Sequence, residues 1–285
     1  LCADLTESTQ THLFANKFPD RFIQTGIAEQ NLASVASGMA AMGKIPFAAS
    51  YAIFNPGRNW EQIRTTIAYN DTNVKIVGAH AGVTVGPDGG SHQCLEDIAL
   101  MRVIPRMTVI VPCDSNEAEK ATMAMAEKNG PMYIRLAREK SPVVTTEETP
   151  FEIGKAQIFY EPTAGAKAQV GIIACGILVA KAMVVAKKLE KEGILVKVMN
   201  LATIKPLDEK AIIELAKETG AIVTAEEHQI AGGMGSAVAE CLAKNYPVKM
   251  EFVGVKDQFG QSGTGAELLE YYGLGEAGII SAVKK

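Results

Sequence analysis

The stretch VKIVGAHAGVTVGPDGGSHQCLEDIALMRVI, residues 74–104, contains both elements of an α/β unit. VKIVGAH (74–80) is an apolar run with the length of a buried strand, and LEDIALMRVI (95–104) has apolar residues at helical spacing. A glycine-rich loop connects the two. When a strand followed by a helix recurs along a chain, it predicts a parallel sheet that is covered by helices on both faces.

The same alternation continues on both sides of this stretch. In the first half it predicts the strands MTVIVPC (107–113) and MYIRLA (132–137) and the helices 27–42, 60–70 and 116–129. Asp114 and Ser115 are suitable N-cap residues for the last of these helices. The first half therefore has the pattern of one α/β domain.

A polar, proline-containing stretch over 138–154 interrupts the pattern, which then restarts. The second half predicts the strands 169–176, 195–201, 221–227 and 248–255 and the helices 178–192, 207–218 and 234–245. We therefore predict two consecutive α/β domains, each a mostly parallel sheet with helices on both faces. They cover residues 1–143 and 166–285, and residues 144–165 form the linker.

The composition argues against several classes of protein. Hydrophobic residues make up 47% of the 285 residues and charged residues 21%, which is typical of a globular chain rather than a disordered one. The net charge of −4 without a basic block argues against a nucleic-acid partner, and no apolar run reaches membrane-spanning length. Five cysteines without a CxxC pair argue against a zinc site or a disulfide framework and favour the reducing cytoplasm.

Polar residues lie where the predicted strands of the first domain end. In open α/β sheets, ligands bind beyond the carboxyl ends of the strands. In the first domain this rule brings together residues 4–8, the loop 80–92, Asp114 and Arg138. We expect a ligand site at this edge.

The loop in this set contains two of the four histidines of the chain, together with Asp88. Its glycines allow a close approach of a ligand to the backbone. This composition indicates a polar pocket that is capable of acid–base chemistry. The alternative is a long loop with capping polar groups, in which Ser91 caps a helix that begins near His92.

TGIAEQN (25–31) holds a single carboxylate, Glu29, between a glycine turn and an apolar helix. Glu29 either caps this helix or supplies the unpaired carboxylate of a buried site. Further along, Phe47, Tyr51 and Phe54 lie beside small residues. They form either part of the core or a flat platform on which a heteroaromatic ring stacks.

In the second domain, Gly232, Gly233 and Gly235 resemble a dinucleotide-binding fingerprint, but their spacing is not GxGxxG. Glu227 and His228, which precede them, are predicted to be structural or interfacial. A non-catalytic α/β module that binds a nucleotide, or that serves as an inert partner subunit, is therefore an alternative to an enzyme.

Several motifs together resemble one family. ADLTES, GIAEQN, the aromatic stretch, GPDGGSHQ with LEDIALMRVIP, and VPCDSNE occur in the order and spacing of the thiamine-diphosphate enzymes of the transketolase type. The second domain, which ends in DQFGQSGTGAELLEYYGL, is similar to the C-terminal domain of that family. The resemblance implies a transferase of carbohydrate metabolism in the pentose phosphate pathway. It would move a two-carbon ketol unit from a ketose phosphate to an aldose phosphate.

The resemblance also implies the cofactor thiamine diphosphate, with its pyrimidine end bound by this chain. Glu29 matches the glutamate that hydrogen-bonds the aminopyrimidine ring and activates it. Phe54 matches the aromatic residue that stacks on the pyrimidine, and Tyr51 is expected to share this platform. Asp4 is expected to help position the cofactor.

A sugar-phosphate site at the same edge is implied as well. His80 would contact the sugar phosphate, Asp88 would hold the C2-hydroxyl side, and His92 would serve the reacting C1 and C3 hydroxyls. Ser8 and Arg138 would bind the terminal phosphate, for which an arginine fork is well suited. The catalytic residues implied by the resemblance are Glu29, His80 and His92.

Two other members of the superfamily are alternatives. Deoxyxylulose-phosphate synthase shares the GIAEQ motif but usually carries arginine where this chain has His80. The β subunit of the 2-oxo-acid dehydrogenases is expected to lack the sugar-phosphate residues. The histidine therefore favours transketolase.

The chain lacks the GDG…N motif through which transketolases bind the diphosphate and its divalent metal. The resemblance therefore implies a split enzyme, with an N-terminal transketolase chain that carries this motif and binds Mg or Ca. We expect a homodimer of this chain within a heterotetramer, and no metal ligands here. The chain begins with the strand-like run LCADL without a signal peptide, so we expect its natural start to lie upstream.

Overall fold

The computed structural model of the protein describes residues 1–163 and 167–285. Within these ranges the strands are β1 (Phe47–Tyr51), β2 (Lys75–Ala79), β3 (Thr108–Ile110), β4 (Met132–Arg135), β5 (Gln157–Tyr160), β6 (Val170–Ala174), β7 (Val196–Asn200), β8 (Thr203–Lys205), β9 (Ala221–Gln229) and β10 (Lys249–Val255). They form two five-stranded sheets, in the orders β1-β2-β4-β3-β8 and β10-β9-β6-β7-β5.

Helices cover both sheets. In the described ranges the α-helices are α1 (His12–Lys17), α2 (Glu29–Ala41), α3 (Trp60–Gln62), α4 (Asp97–Arg102), α5 (Ser115–Glu127), α6 (Leu178–Lys191), α7 (Glu209–Thr219), α8 (Met234–Asn245), α9 (Gly265–Tyr271) and α10 (Glu276–Val283). The predicted 60–70 helix is α3 followed by a π-helical segment, Ile63–Ala68. As predicted, the Asp114 side chain caps α5 by accepting a hydrogen bond from the Glu117 N–H.

Neighbouring strands run parallel except at one edge of each sheet. The neighbouring pairs β1–β2, β2–β4 and β3–β4 of the first sheet are parallel, as are β9–β10, β6–β9 and β6–β7 of the second. At the edges, β8 pairs antiparallel with β3, and β5 pairs antiparallel with β7. The predicted fold class, two mostly parallel sheets with helices, is confirmed.

The two edge strands differ from the sequence-based expectation. β8 lies in the second half of the chain but joins the sheet of the first half, so the sheets exchange a strand. β5 lies inside the predicted linker and joins the second sheet. Conversely, LCADL forms no strand and only isolated bridges, from Cys2 to Gln24 and to Ala49, because the chain turns at Asp4, where φ is 56°.

One apolar core spans both halves of the chain. It joins buried residues of α2 and the π-helical segment, such as Leu32 and Ile63, to Met199 and Met234 of the second half. The alanine-rich α2 lies close to the π-helical segment because its small side chains allow a short helix–helix distance. The two domains are therefore fixed relative to each other by shared packing.

Candidate active site

Glu29 is the first residue of α2 and follows a turn at Gly26, where φ is 70°. Its side chain is 2% exposed, and its Oε2 accepts a hydrogen bond of 2.8 Å from Nη1 of Arg58. The expectation of an unpaired carboxylate is therefore wrong, because the guanidinium of Arg58 neutralises it. The sequence pattern does not indicate this role for Arg58, although Arg58 follows Phe54 by one helical turn. The side chain of Arg58 is 49% exposed, so this end of the pair faces solvent.

Four of the predicted site residues form one aromatic cluster beside this ion pair. The Tyr51 ring stacks on the His80 ring with 4.1 Å between centroids, and it lies parallel to the Phe54 ring at 6.2 Å. His92 turns its edge toward Phe54 at 5.6 Å. The guanidinium carbon of Arg58 lies 4.5 Å from the centroid of Phe54 and links the cluster to the buried carboxylate of Glu29. Tyr51 is buried and Phe54 is half-buried, so the platform interpretation of these two rings stays a prediction.

The loop that follows β2, residues 80–93, is called the rim loop below. It begins at His80, which has a φ of 52°, and contains a 3₁₀ segment, Val83–Asp88. Arg138, which is predicted to bind the terminal phosphate, donates a hydrogen bond from Nη1 to the carbonyl oxygen of Val85. Arg138 is therefore in contact with this loop. The carboxylate of Asp88 is exposed.

His80 is expected to stay neutral over the whole neutral pH range. Burial lowers the pKa of His80 to about 4, the charge of Arg138 acts in the same direction, and Asp88 opposes both. In an unfolded chain the imidazole has its ordinary pKa of about 6.5. Between about pH 4 and pH 6.5 the folded chain therefore binds fewer protons than the unfolded chain. The folded state should therefore lose stability as the pH falls from about 6.5 toward 4.

An NMR titration of the His80 imidazole checks this prediction directly, together with urea denaturation at about pH 7 and pH 5. His80→Gln, which does not titrate, is expected to remove this part of the pH dependence of stability. A His80 imidazole that titrates at its ordinary value would contradict the expected shift.

Other predicted residues lie apart from the cluster or have structural roles. The side chains of Asp4 and Ser8 are exposed, and in the described residues no hydrogen bond or ion pair joins them to the aromatic cluster. The carboxylate of Asp114 is occupied by backbone N–H groups of Glu117, Val144 and Thr145. It therefore ties down the segment after β4 instead of facing a ligand.

The expected cap at Ser91 is wrong. Its hydroxyl oxygen lies 2.9 Å from Nδ1 of His92, and the next helix begins only at Asp97. Ser91 therefore orients the His92 ring. The sequence did not show this, because the four residues between His92 and α4 are an irregular connection without helical spacing.

The glycine-rich turn before α8 does not offer free backbone donors to a nucleotide phosphate. The carboxylate of Glu226 accepts hydrogen bonds from the N–H groups of Met234 at 2.6 Å and of Gly235 at 2.8 Å. An anion would have to displace this buried carboxylate. Glu227 and His228 are interfacial, as predicted: Glu227 accepts from the Thr84 N–H, and His228 Nε2 lies 3.4 Å from the Ala99 N.

Two further properties concern only the described residues. Across residues 1–163 and 167–285, no group of three or more histidine, cysteine, aspartate or glutamate side chains is arranged to hold a metal ion. In the same ranges, none of the helices has the length and apolarity needed to span a bilayer.

Comparisons with known proteins agree on one family. The family description "Transketolase, pyrimidine binding domain" matches residues 1–143, and "Transketolase, C-terminal domain" matches residues 163–279. A putative transketolase C-terminal section from Methanocaldococcus jannaschii is 46% identical over 277 residues, covering 96% of this chain and 85% of that protein. A 6-deoxy-6-sulfo-D-fructose transketolase subunit from Clostridium sp. (strain MSTE9) is 42% identical over 282 residues, covering 99% and 86%.

A solved structure described as "Split gene transketolase, inactive beta4 tetramer" is also similar. It superposes with a TM-score of 0.91 at 47% identity, covering 100% of this chain and 90% of that one. The two consecutive α/β domains match, in order, the pyrimidine-binding and C-terminal domains of transketolase. The chain belongs to the transketolase family and comprises these two domains of it.

Proposed function

We propose that this chain is the pyrimidine-binding half of a thiamine-diphosphate-dependent transketolase, active only together with a partner chain. Its reaction is the transfer of a two-carbon ketol unit from a ketose phosphate to an aldose phosphate. The observation that carries the proposal is the buried carboxylate of Glu29, held next to the ring of Phe54 by Arg58. Family membership supports the same reaction class.

The residues of the cluster suit an aminopyrimidine ring. Such a ring needs a flat aromatic partner for its face and a hydrogen-bonding carboxylate for its ring nitrogen, and Phe54 and Glu29 are these two groups. In this role Glu29 holds a proton at the ring nitrogen, Phe54 orients the ring, and Tyr51 supports Phe54. When bound, thiamine diphosphate supplies the nucleophilic carbon for cleaving and forming the bond next to a carbonyl group. Asp4 would contribute from the neighbouring edge.

The sugar site would lie on the rim loop. A neutral His80 can donate or accept one hydrogen bond without adding charge, and His92 beside it would serve the reacting hydroxyls. Asp88 would bind a hydroxyl, and the exposed guanidinium of Arg138, with Ser8, would bind the terminal anion. The Clostridium relative is named for a sulfo-sugar, so the terminal anion can differ among members.

The assembly is part of the proposal. A separate chain with the GDG motif would hold the diphosphate and its Mg or Ca, and copies of this chain would pair as a homodimer within a heterotetramer. The similar structure described as a beta4 tetramer supports contacts between copies. We also propose the domain limits 1–143 and 166–285, with β5 in the connecting residues 144–165, and a cytoplasmic location for a chain whose cysteines are free.

The test is calorimetric binding of thiamine diphosphate in the presence of magnesium. We expect tight binding by a mixture with a GDG-bearing partner chain, and weak or no binding by this chain alone. Phe54→Leu, which keeps bulk but removes the flat ring, should weaken binding in the mixture by about tenfold or more. Tyr246→Leu, at the exposed aromatic residue that follows α8 in the C-terminal domain, is the matched control. Absence of binding in the mixture would refute the proposed function.

A further inference from the structure

A segment of the C-terminal domain lies directly against the rim loop. Residues 257–264, called the strap below, connect β10 to α9. The close pairs between the two segments are Gly86 with Gly263, Gly89 with Ser262, and Gly90 with Gly260. A Cβ added at Gly90 would lie 2.5 Å from the carbonyl oxygen of Gly260, so the two backbones are in contact. The pairing runs in opposite directions along the two segments, and the strap supports the second half of the rim loop, residues 86–93.

Gln93 fastens the contact. Its side chain is 3% exposed, and its amide nitrogen donates to the carbonyl oxygen of Val83 at 3.0 Å and to that of Gln261 at 2.9 Å. One buried amide thus joins the beginning of the rim loop, its end and the strap. The fit around it is tight, since a Cβ at Gly260 would lie 1.7 Å from its side-chain oxygen.

The strap is itself anchored to the second sheet and to α9. The side-chain amide of Gln229, at the end of β9, donates to the carbonyl oxygen of Gln258 at 2.7 Å. The hydroxyl group of Tyr272, just after α9, donates to the carbonyl oxygen of Phe259 at 2.8 Å. The position of the strap is therefore set by the C-terminal domain.

The rim loop needs such support because its glycines leave the conformation of its backbone weakly restricted. Gly82, Gly86 and Gly89 all have positive φ values, which only glycine adopts without strain, and each costs conformational entropy when it is ordered. Asp88 lies between two of these glycines, and His92 follows them. The contacts that hold the loop from outside therefore help to fix the positions of both side chains.

We propose that the strap and Gln93 are positioning elements, through which the C-terminal domain places Asp88 and His92 against the sugar substrate. The proposal deepens the proposed function and rests on the substrate roles assigned there. Misplacement of a binding group by about 1 Å can cost up to about 100-fold in rate. Loosening the strap should therefore damage sugar binding and leave the cofactor contacts of Glu29 and Phe54, which lie outside the rim loop.

The experiment uses the complex with the partner chain and two variants. Gly260→Ala places a methyl group against Gln93, and Gln93→Met keeps the volume but removes the donor. Both are expected to lower kcat/KM for the ketose phosphate by about 10- to 100-fold, with part of the loss in kcat because His92 serves the reacting hydroxyls, while the Kd of thiamine diphosphate changes by about twofold or less. Hydrogen exchange of residues 80–93 should become faster in both. Gln261→Ala is the matched control, because it removes an exposed strap side chain and keeps the carbonyl group that Gln93 uses.

The outcomes separate the possibilities. An unchanged kcat/KM in a folded Gln93→Met complex overturns the proposal, and so does a parallel loss of cofactor affinity and thermal stability, since the strap would then only support the fold. If Gly260→Ala does not fold, Gln93→Met decides alone. If the wild-type complex transfers no ketol unit, the proposed function fails. In that case, unchanged hydrogen exchange of the rim loop in Gln93→Met would overturn the inference on its own.

Discussion

Glu29→Gln is expected to lower kcat of the complex by about 100- to 10,000-fold, the range that a positioned acid–base group contributes. The amide has the same shape and still fits beside Arg58, but it cannot hold and release a proton at the ring nitrogen of the cofactor. The loss should appear in kcat, because stacking on Phe54 continues to bind the ring. Steady-state ketol transfer and calorimetric Kd values for thiamine diphosphate, measured on the same samples, check both halves of this expectation.

Two further variants isolate the proton-holding role of Glu29. Arg58→Met removes the charge that faces Glu29 but keeps the carboxylate, so kcat should fall far less than in Glu29→Gln. Glu61→Gln, on the exposed face of α3, is the control for the loss of one negative charge. If Arg58→Met and Glu29→Gln lose equal activity, the ion pair and not the carboxylate is what the reaction requires.

The ion pair at Glu29 shows where sequence-based prediction ends. Glycine turns, helical spacing and strand-length apolar runs are local signals, and they located Glu29, Tyr51, Phe54 and most strands. That Arg58 would turn back to Glu29 depends on how α2 packs against the segment after β1. The only local signal was the spacing of one helical turn after Phe54, which also suits an exposed side chain.

The strand exchange and the strap were missed for a related reason. β8 has three residues, too few for a period of two to be recognised, and its partner β3 lies far away in the sequence. The strap contacts the rim loop mostly through backbone atoms and glycines, which leave no side-chain pattern to read. The role of Gln93 depends on this contact between distant segments. From the sequence alone, a buried glutamine in a loop cannot be distinguished from an exposed one.

Asp97→Asn is expected to cost about 3–5 kcal/mol of unfolding free energy, the range for breaking a buried ion pair on one side. Asp97 on α4 is fully buried, and Arg135 on β4 donates to it from Nε at 2.9 Å, with its side chain only 5% exposed. The hydroxyl of Tyr133 donates to the same carboxylate at 2.7 Å. Replacing the carboxylate by an amide leaves the buried guanidinium without the counter-charge that contacts it directly, and only the more weakly interacting carboxylate of Glu227 remains nearby. Urea denaturation followed by circular dichroism measures the loss.

The ion pair of Asp97 and Arg135 lies at the junction of the two domains. Arg135 also donates from Nη2 to the carbonyl oxygen of Glu227 at 2.7 Å, so it connects the first sheet to the second. Because the apolar core also spans both halves of the chain, we expect Asp97→Asn to unfold in a single transition at a lower urea concentration than the wild type. Glu192→Gln breaks the exposed pair with Lys284 and is the matched control, with an expected cost of at most about 1 kcal/mol. If the two variants lose equal stability, the buried pair contributes no more than an exposed one, and the shared apolar core alone holds the domains together.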